Sequence, residues 1–209
     1  MKAALCGTLR AVDEQGDTMI RIALLIVVLA LAAPVSAQVA LTPASPQPDP
    51  ALLQPGLSVV YAYPRDVRSL DNADYHLRES PRAGKPLIGF DYPDTNEGDL
   101  TMTSRQPFVF AARISGYIAF DTAGAHTLDF ETNDGLAVSI GGRAIYEHDG
   151  RHPCSSSGEV VVTVPEPGWY TLEATYFQRQ GTACLLMKWA PPGGEIDWTP
   201  NEAFAFIPE

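Results

Sequence analysis

Between Phe108 and Ala190 the chain never runs far without a breaker. Apolar, β-branched and aromatic runs of roughly four to nine residues each end in Gly, Pro, Asn or Asp. Residues 108–114 and 117–120 flank Ser115-Gly116, which reads as a bulge or bend, and a turn follows through Gly124. Residues 126–131 alternate, stop at Asn133-Asp134-Gly135, and resume over 136–140 before Gly141-Gly142. Residues 143–146, 159–164, 169–177 and 183–189 complete the set, and the apolar piece 203–207 can close an edge. No stretch keeps the apolar period of an amphipathic helix over three turns. The pattern predicts an all-β fold, an antiparallel β-sandwich or jelly-roll-like barrel.

The part before this β region divides in three. Arg21 precedes an apolar run over 22–33, too short to span a bilayer and matched to the apolar region of a signal peptide. Val35-Ser36-Ala37 supplies small residues for cleavage before Gln38, and Met19 is a better start for such a signal than Met1. The expectation is an exported chain, periplasmic or extracellular, with no membrane insertion after cleavage. Residues 38–55, with prolines at 43, 46, 48, 50 and 55, read as an extended Pro-rich linker, and 56–209 as one domain. Residues 65–103 read mainly as loops, with one short helical turn over 70–77.

Charge and cysteine count restrict function. A net charge of -11 opposes every approach to nucleic acid or an anionic membrane, while cations and neutral ligands remain open. After residue 37 only Cys154 and Cys184 remain, and in an oxidising compartment they most simply pair as one disulfide. The acidic piece 91–99 begins like a calcium loop but lacks the later ligands, so it reads as a solvated loop. His148 and His152 are four apart in a loop of Gly, Pro and Ser, where that spacing does not set them on one helical face. The serines at 155–157 have no nucleophile-elbow context, and no phosphate-binding, dinucleotide or zincin motif is present. These features predict a protein that is not an enzyme.

Taken in order, Gly116-Tyr117-Ile118 with Gly124, Thr132-Asn133-Asp134-Gly135, Ile140-Gly141-Gly142, Pro167-Gly168-Trp169-Tyr170, residues 173–177, Gly181 with Ala183, and Trp189 resemble the PA14 domain family. The resemblance covers about residues 57–207. It implies an exported β-sandwich module of the kind found in adhesins, glycosidases and toxins, often serving carbohydrate recognition or adhesion. In calcium-dependent members, two consecutive Asp residues joined by a cis peptide hold Ca²⁺, which in turn holds sugar hydroxyls. Asn133 and Asp134 stand at those positions here, so one charge is lost. The family's later asparagine ligand falls at Gln178, with Arg179 beside it.

The expected site is the tip formed by Asn133, Asp134 and the 147–158 and 178–181 loops, with Asn133, Asp134, Gln178 and Arg179 as ligand-binding candidates, Tyr146 beside the 147–158 loop as a candidate aromatic, and Asn133, Asp134 and Gln178 as the calcium ligands the resemblance implies. Trp169 and Trp198 lie near turns, where an exposed indole could stack on a sugar, whereas Phe120, Phe177, Tyr117 and Trp189 read as core or sheet-face residues. The expected partner is a glycan or another cell-envelope component. The alternatives for Asn133-Asp134-Gly135 are a tight hairpin turn with no ligand and, for the whole chain, a metal-independent structural or protein-interaction domain.

Overall fold

The computed structural model describes residues 38–208; the expected signal peptide, residues 1–37, lies outside the described residues. Strands β1 (Val39–Ala40), β2 (Gln54–Pro55) and β3 (Ser58–Ala62) precede helix α1 (Leu70–Glu79). β4 (Arg82–Ala83), β5 (Asp91–Tyr92), β6 (Phe110–Phe120), β7 (Gly124–Asn133), β8 (Gly135–Ile140), β9 (Arg143–His148) and β10 (Ser155–Ser156) follow. The chain ends with β11 (Val160–Val164), β12 (Gly168–Gln178), β13 (Cys184–Ala190), β14 (Asp197–Trp198) and β15 (Phe204–Phe206).

Two sheets form from them, as the alternating pattern predicts. One runs β1-β11-β7-β13-β14, with β10 on β7 and β5 on β13. The other runs β2-β15-β6-β12-β8-β9, with β3 on β6 and β4 on β3. Except for the parallel pair β1 and β11, the strand pairs are antiparallel. Tyr61, Phe90, Phe110, Phe120, Phe130, Tyr170, Tyr176 and Phe204 are buried in the main core. Each such aromatic contributes on the order of 2–3 kcal/mol by leaving water. Strand alternation sends Phe177 the other way, into a smaller cluster with Val67, Leu70, Ala73 and Leu77.

That smaller cluster exists because residues 70–79 form a helix of ten residues, where the sequence reading had one short turn. Leu70, Ala73 and Leu77 supply the buried stripe, and the Ser69 side chain accepts the Asn72 N–H at 3.2 Å as an N-cap. Asp71 in the first turn and Arg78 in the last suit the helix dipole. The apolar face is only three residues wide, so periodicity alone did not separate it from a loop.

Residues 38–55 are likewise part of the domain rather than a tether. β1 pairs with β11, Leu41 is buried in the core, and the Ala44 N–H donates to the Trp169 carbonyl at 2.9 Å. The Gln47 side chain acts as a strand partner: its Oε1 accepts the Trp169 N–H at 2.8 Å and its Nε2 donates to the Trp169 carbonyl at 3.0 Å. Proline density removes donors but leaves carbonyls, side-chain amides and pre-set φ angles that an edge can use.

Two turn readings also change. Ser115-Gly116 is no bulge: β6 keeps unbroken register with β12 through both residues. Asn133-Asp134-Gly135 is no hairpin, because β7 lies in one sheet and β8 in the other. The chain crosses between the sheets at that point. Gly135 is required there by space: a Cβ would stand 2.1 Å from the Phe177 ring. By contrast, Gly141-Gly142 does join β8 to β9, with φ of 56° and 68° as such a turn demands.

Candidate functional site

The sheet crossing places two polar side chains where strands would otherwise pair apolar ones. Asn133 and Asp134, joined by a cis peptide bond, are almost wholly buried. Asn133 Nδ2 donates to Thr182 Oγ1 at 3.3 Å, and the Asn133 carbonyl meets the Tyr176 hydroxyl. Asp134 Oδ2 accepts the backbone N–H groups of Arg179 at 2.8 Å and Gln180 at 3.4 Å. Asn133 Oδ1 and Asp134 Oδ1 are left buried with no hydrogen-bond partner. Each such orphan costs roughly 1–3 kcal/mol. Burial pushes the Asp134 carboxyl above its ordinary value; the two backbone N–H groups and the nearby Arg151 and His152 pull it back.

Both residues line a cleft of about 420 Å³, whose other walls are Glu97, Arg151, His152, Pro153, Gln180 and Gly181. Three connections bring those walls together. The Cys154–Cys184 disulfide forms as expected, with Cα atoms 5.9 Å apart, and Cys184 lies opposite Asn133 in the ladder between β13 and β7. Residues 151–153 are thereby held beside Asp134. β10 pairs with Glu131 and Thr132, while the Ser156 and Ser157 hydroxyls donate to buried Asp129 at 2.7 and 3.0 Å, pinning the rest of that loop to the sheet. Glu97 arrives with the acidic loop, which β5 and a pair of bonds between Thr95 and Ala183, at 3.1 and 3.0 Å, fasten to β13.

Of the expected site residues, Asn133 and Asp134 come together at the cleft, and three others serve differently. Gln178 is fully buried: its Oε1 faces the Tyr176 hydroxyl at 2.7 Å, and its Nε2 donates to the carbonyls of Gln180 at 3.0 Å and Thr182 at 2.8 Å. Its polar atoms are committed to shaping the 178–182 loop, so it is not free to ligate a cation. Arg179 gives the site its backbone N–H, while its guanidinium turns to Asp66 at 3.5 Å. Tyr146 stacks on Phe130, with ring centroids 5.7 Å apart, and does not line the cleft. Neither indole lines it: Trp169 is half-buried against Gln47, and Trp198, half exposed, carries the Lys188 ammonium 4.3 Å from its ring centre.

Arg151, His152 and Gln180 lie within the 147–158 and 178–181 loops that the sequence reading puts at the tip, whereas Glu97, read as part of a solvated acidic loop, is the cleft residue it missed. For Arg151 and His152 a signal existed, since a Cys154–Cys184 bridge must draw its flanks toward β13. Glu97 gave none. His152 packs edge-to-face on His148, centroids 4.0 Å apart, and its Nδ1 lies 3.1 Å from Ser155 Oγ. No acid orients the other ring nitrogen, which is buried and unpartnered, so the pair lacks the geometry of an activated nucleophile. Among the described residues, one three-residue grouping of His, Cys, Asp or Glu ligand atoms occurs, Asp94 with Cys154 and Cys184. Its sulfurs form the disulfide and are not thiolate ligands.

Residues 77–203 match the family model described as the PA14 domain, and the chain belongs to that family. Among solved structures, the PA14 domain of the antifreeze protein MpAFP aligns at 14% identity with a TM-score of 0.64, covering 78% of this chain and 95% of that one. The PA14 sugar-binding domain from an RTX adhesin aligns at 15% identity and a TM-score of 0.57, over 73% and 98%. The Epithelial Adhesin 9 A domain from Candida glabrata, in complex with Galβ1-3GlcNAc, aligns at 13% identity and a TM-score of 0.61, over 81% and 96%. At such identities the likeness establishes the shared β-sandwich. A sequence search of curated proteins gives no match.

Proposed function

We propose that the chain is a non-catalytic carbohydrate-binding module of PA14 type, acting outside the cytoplasm, with its site in the Asn133–Asp134 cleft. The observation that carries this reading is the pair of buried, unpartnered oxygens, Asn133 Oδ1 and Asp134 Oδ1, at a polar cleft. Two unpartnered, water-excluded acceptors on adjacent residues of one cleft suit a hard cation, and the donor chemistry fits calcium. Asn133 and Asp134 would hold the ion, which when bound supplies positive charge for sugar hydroxyls. The two backbone N–H groups on Asp134 Oδ2 hold that carboxylate in place and leave Oδ1 for the ligand. Glu97, Arg151, His152 and Gln180 offer hydrogen-bonding groups at the wall. Because Asn133 is neutral and Gln178 is committed, the charge on the ion is met by few protein ligands, and the affinity expected is correspondingly weak.

Galactose-containing glycans are the first probes, since such glycans appear in the adhesin complexes of this fold. An extracytoplasmic setting is supported by the disulfide; among the described residues no helix is long and apolar enough to cross a membrane. The test is to strip the purified protein with chelator, titrate calcium while following Tm, and then titrate lactose. A saturable rise in Tm that vanishes in Asp134→Ala, with lactose binding that needs calcium, is the expected result. Lactose binding that ignores calcium but is lost in Asp134→Ala would keep the cleft and remove the ion. Binding that survives alanine at both Asn133 and Asp134 would sink the proposal.

A further inference from the structure

A second cleft, of about 580 Å³, opens between residues 82–85 and 100–105 and shares no residue with the first. Tyr61 and Tyr63, from β3 and its end, build one side of it. The Tyr61 hydroxyl accepts the Thr103 N–H at 3.1 Å and meets Thr103 Oγ1 at 2.9 Å, and that oxygen donates to the Lys85 carbonyl at 2.7 Å. The Tyr63 hydroxyl accepts the Arg105 N–H at 3.1 Å. The 103–105 strip is therefore fastened to this pair of tyrosines directly, and the 82–85 strip through Thr103 and the pairing of β4 with β3. Burial pushes the Tyr61 hydroxyl up to about 12, so it stays a protonated link at any working pH. Gly84 lets the first strip lie flat, since a Cβ would stand 2.5 Å from the Tyr61 ring.

What this frame displays is positive charge. Arg82, Lys85 and Arg105 are exposed at the cleft, and no acidic residue lines it, although the chain has 25 Asp and Glu against 14 Lys and Arg. Among the described residues, none of the three makes an ion pair. Apolar surface lies beside them: Leu100 is exposed, and Met102 and Tyr63 are half-buried.

We propose that this cleft is a second ligand site, taking an acidic sugar whose carboxylate or sulfate lies among Arg82, Lys85 and Arg105. Guanidinium groups bind such oxyanions in paired hydrogen bonds, and an ammonium adds a point charge. Tyr63, Met102 and Leu100 accept the C–H face of the ring. A long polyanion is opposed by the net charge of -11, which favours a unit carrying one or two charges. The volume suits a small ligand.

The test is calorimetric titration of the purified protein with a uronate-containing disaccharide, a sulfated disaccharide, lactose and inorganic sulfate. The expected result is binding of at least one acidic disaccharide, weakened roughly tenfold or more in Arg82→Ala/Lys85→Ala/Arg105→Ala and unchanged in Asp134→Ala. Comparing the two acidic disaccharides tells carboxylate from sulfate. The triple variant removes only exposed side chains, and an unchanged Tm will show that it folds. Failure of both acidic disaccharides to bind, or binding that persists in the triple variant, overturns the site. Inorganic sulfate binding as tightly as the sulfated sugar, with no uronate binding, overturns the sugar assignment. Loss of lactose binding in Asp134→Ala tests the first cleft separately, so either site can fail alone.

Discussion

The two clefts are opposite solutions built on one sandwich. At the Asn133–Asp134 cleft the atoms proposed to bind are buried oxygens, positioned by main-chain N–H groups, a sheet crossing and a disulfide. At the Arg82–Arg105 cleft they are exposed cations, positioned at a distance by two tyrosine hydroxyls, Thr103 and the pairing of β4 with β3. Buried oxygens depend on the backbone being right, so a small local change removes them. Exposed cations tolerate local change and respond to salt and charge. The difference teaches that one fold can offer opposite polarity at two places if each is fixed by a different kind of bond.

The comparison breaks most sharply at the disulfide. Replacing Cys154 and Cys184 by Ser is expected to cost about 3.6 kcal/mol in denaturant unfolding, the value the chain-entropy model gives for a sequence separation of 30. It should also release the Arg151–Pro153 wall, abolishing lactose binding while leaving the acidic disaccharide affinity unchanged. Loss of both affinities in a protein that still melts cooperatively would mean the clefts are coupled.

Gly84→Ala is the counterpart at the other site. Its Cβ would meet both the Tyr61 ring and the Val59 side chain, 2.7 Å away, so a cost of roughly 2 kcal/mol is expected from overpacking. Acidic disaccharide affinity should fall and calcium binding should not, as two parallel titrations would show. A smaller effect, roughly 1.5 kcal/mol, is expected for Tyr176→Phe, which takes the hydroxyl from the Asn133 carbonyl and from Gln178 Oε1 and strands both in the interior. Its calcium-induced Tm shift should shrink, with Arg82-side binding intact.

The smallest effect concerns pH and bounds the conditions for comparing the sites. His126 packs on Phe120 with centroids 4.9 Å apart, and burial lowers its pKa. As pH falls through the ordinary imidazole range, the unfolded chain takes up the proton first, so stability declines toward acid and levels off below the folded value. His152, lowered by burial and by His148, acts with the same sign. His126→Gln should therefore flatten, without abolishing, the change in denaturant midpoint between about pH 7.5 and about pH 5.5.

Legibility in the sequence follows the range of the interactions. The long strands show period-two alternation, and β6, β7, β12 and β13 appear where the pattern puts them, within a few residues. Asn133 and Asp134 are adjacent, so a family pattern can single them out. Gln178 stands where the family has an asparagine ligand and departs from that pattern, and its amide turns inward because two loop carbonyls and a tyrosine hydroxyl surround it. Helix α1 left only Leu70, Ala73 and Leu77 as a trace. Arg82, Lys85 and Arg105 left none, since residues some twenty apart, one on the short strand β4 and two in loops, converge only through β3, its tyrosines and Thr103.

The sequence by itself determined the β class, the single available disulfide pairing after residue 37, the Asn133–Asp134 pair and the PA14 membership. These depend on composition, on local order and on which residues alternate. Tertiary structure alone decided that Asn133-Asp134-Gly135 crosses between sheets, that residues 38–55 are packed, that Tyr146 packs against the core and that three cations share a cleft. Periodicity reports which side of a strand is buried, but a hydrogen-bond ladder is satisfied by any strand of compatible register. Only the complete packing selects the partner.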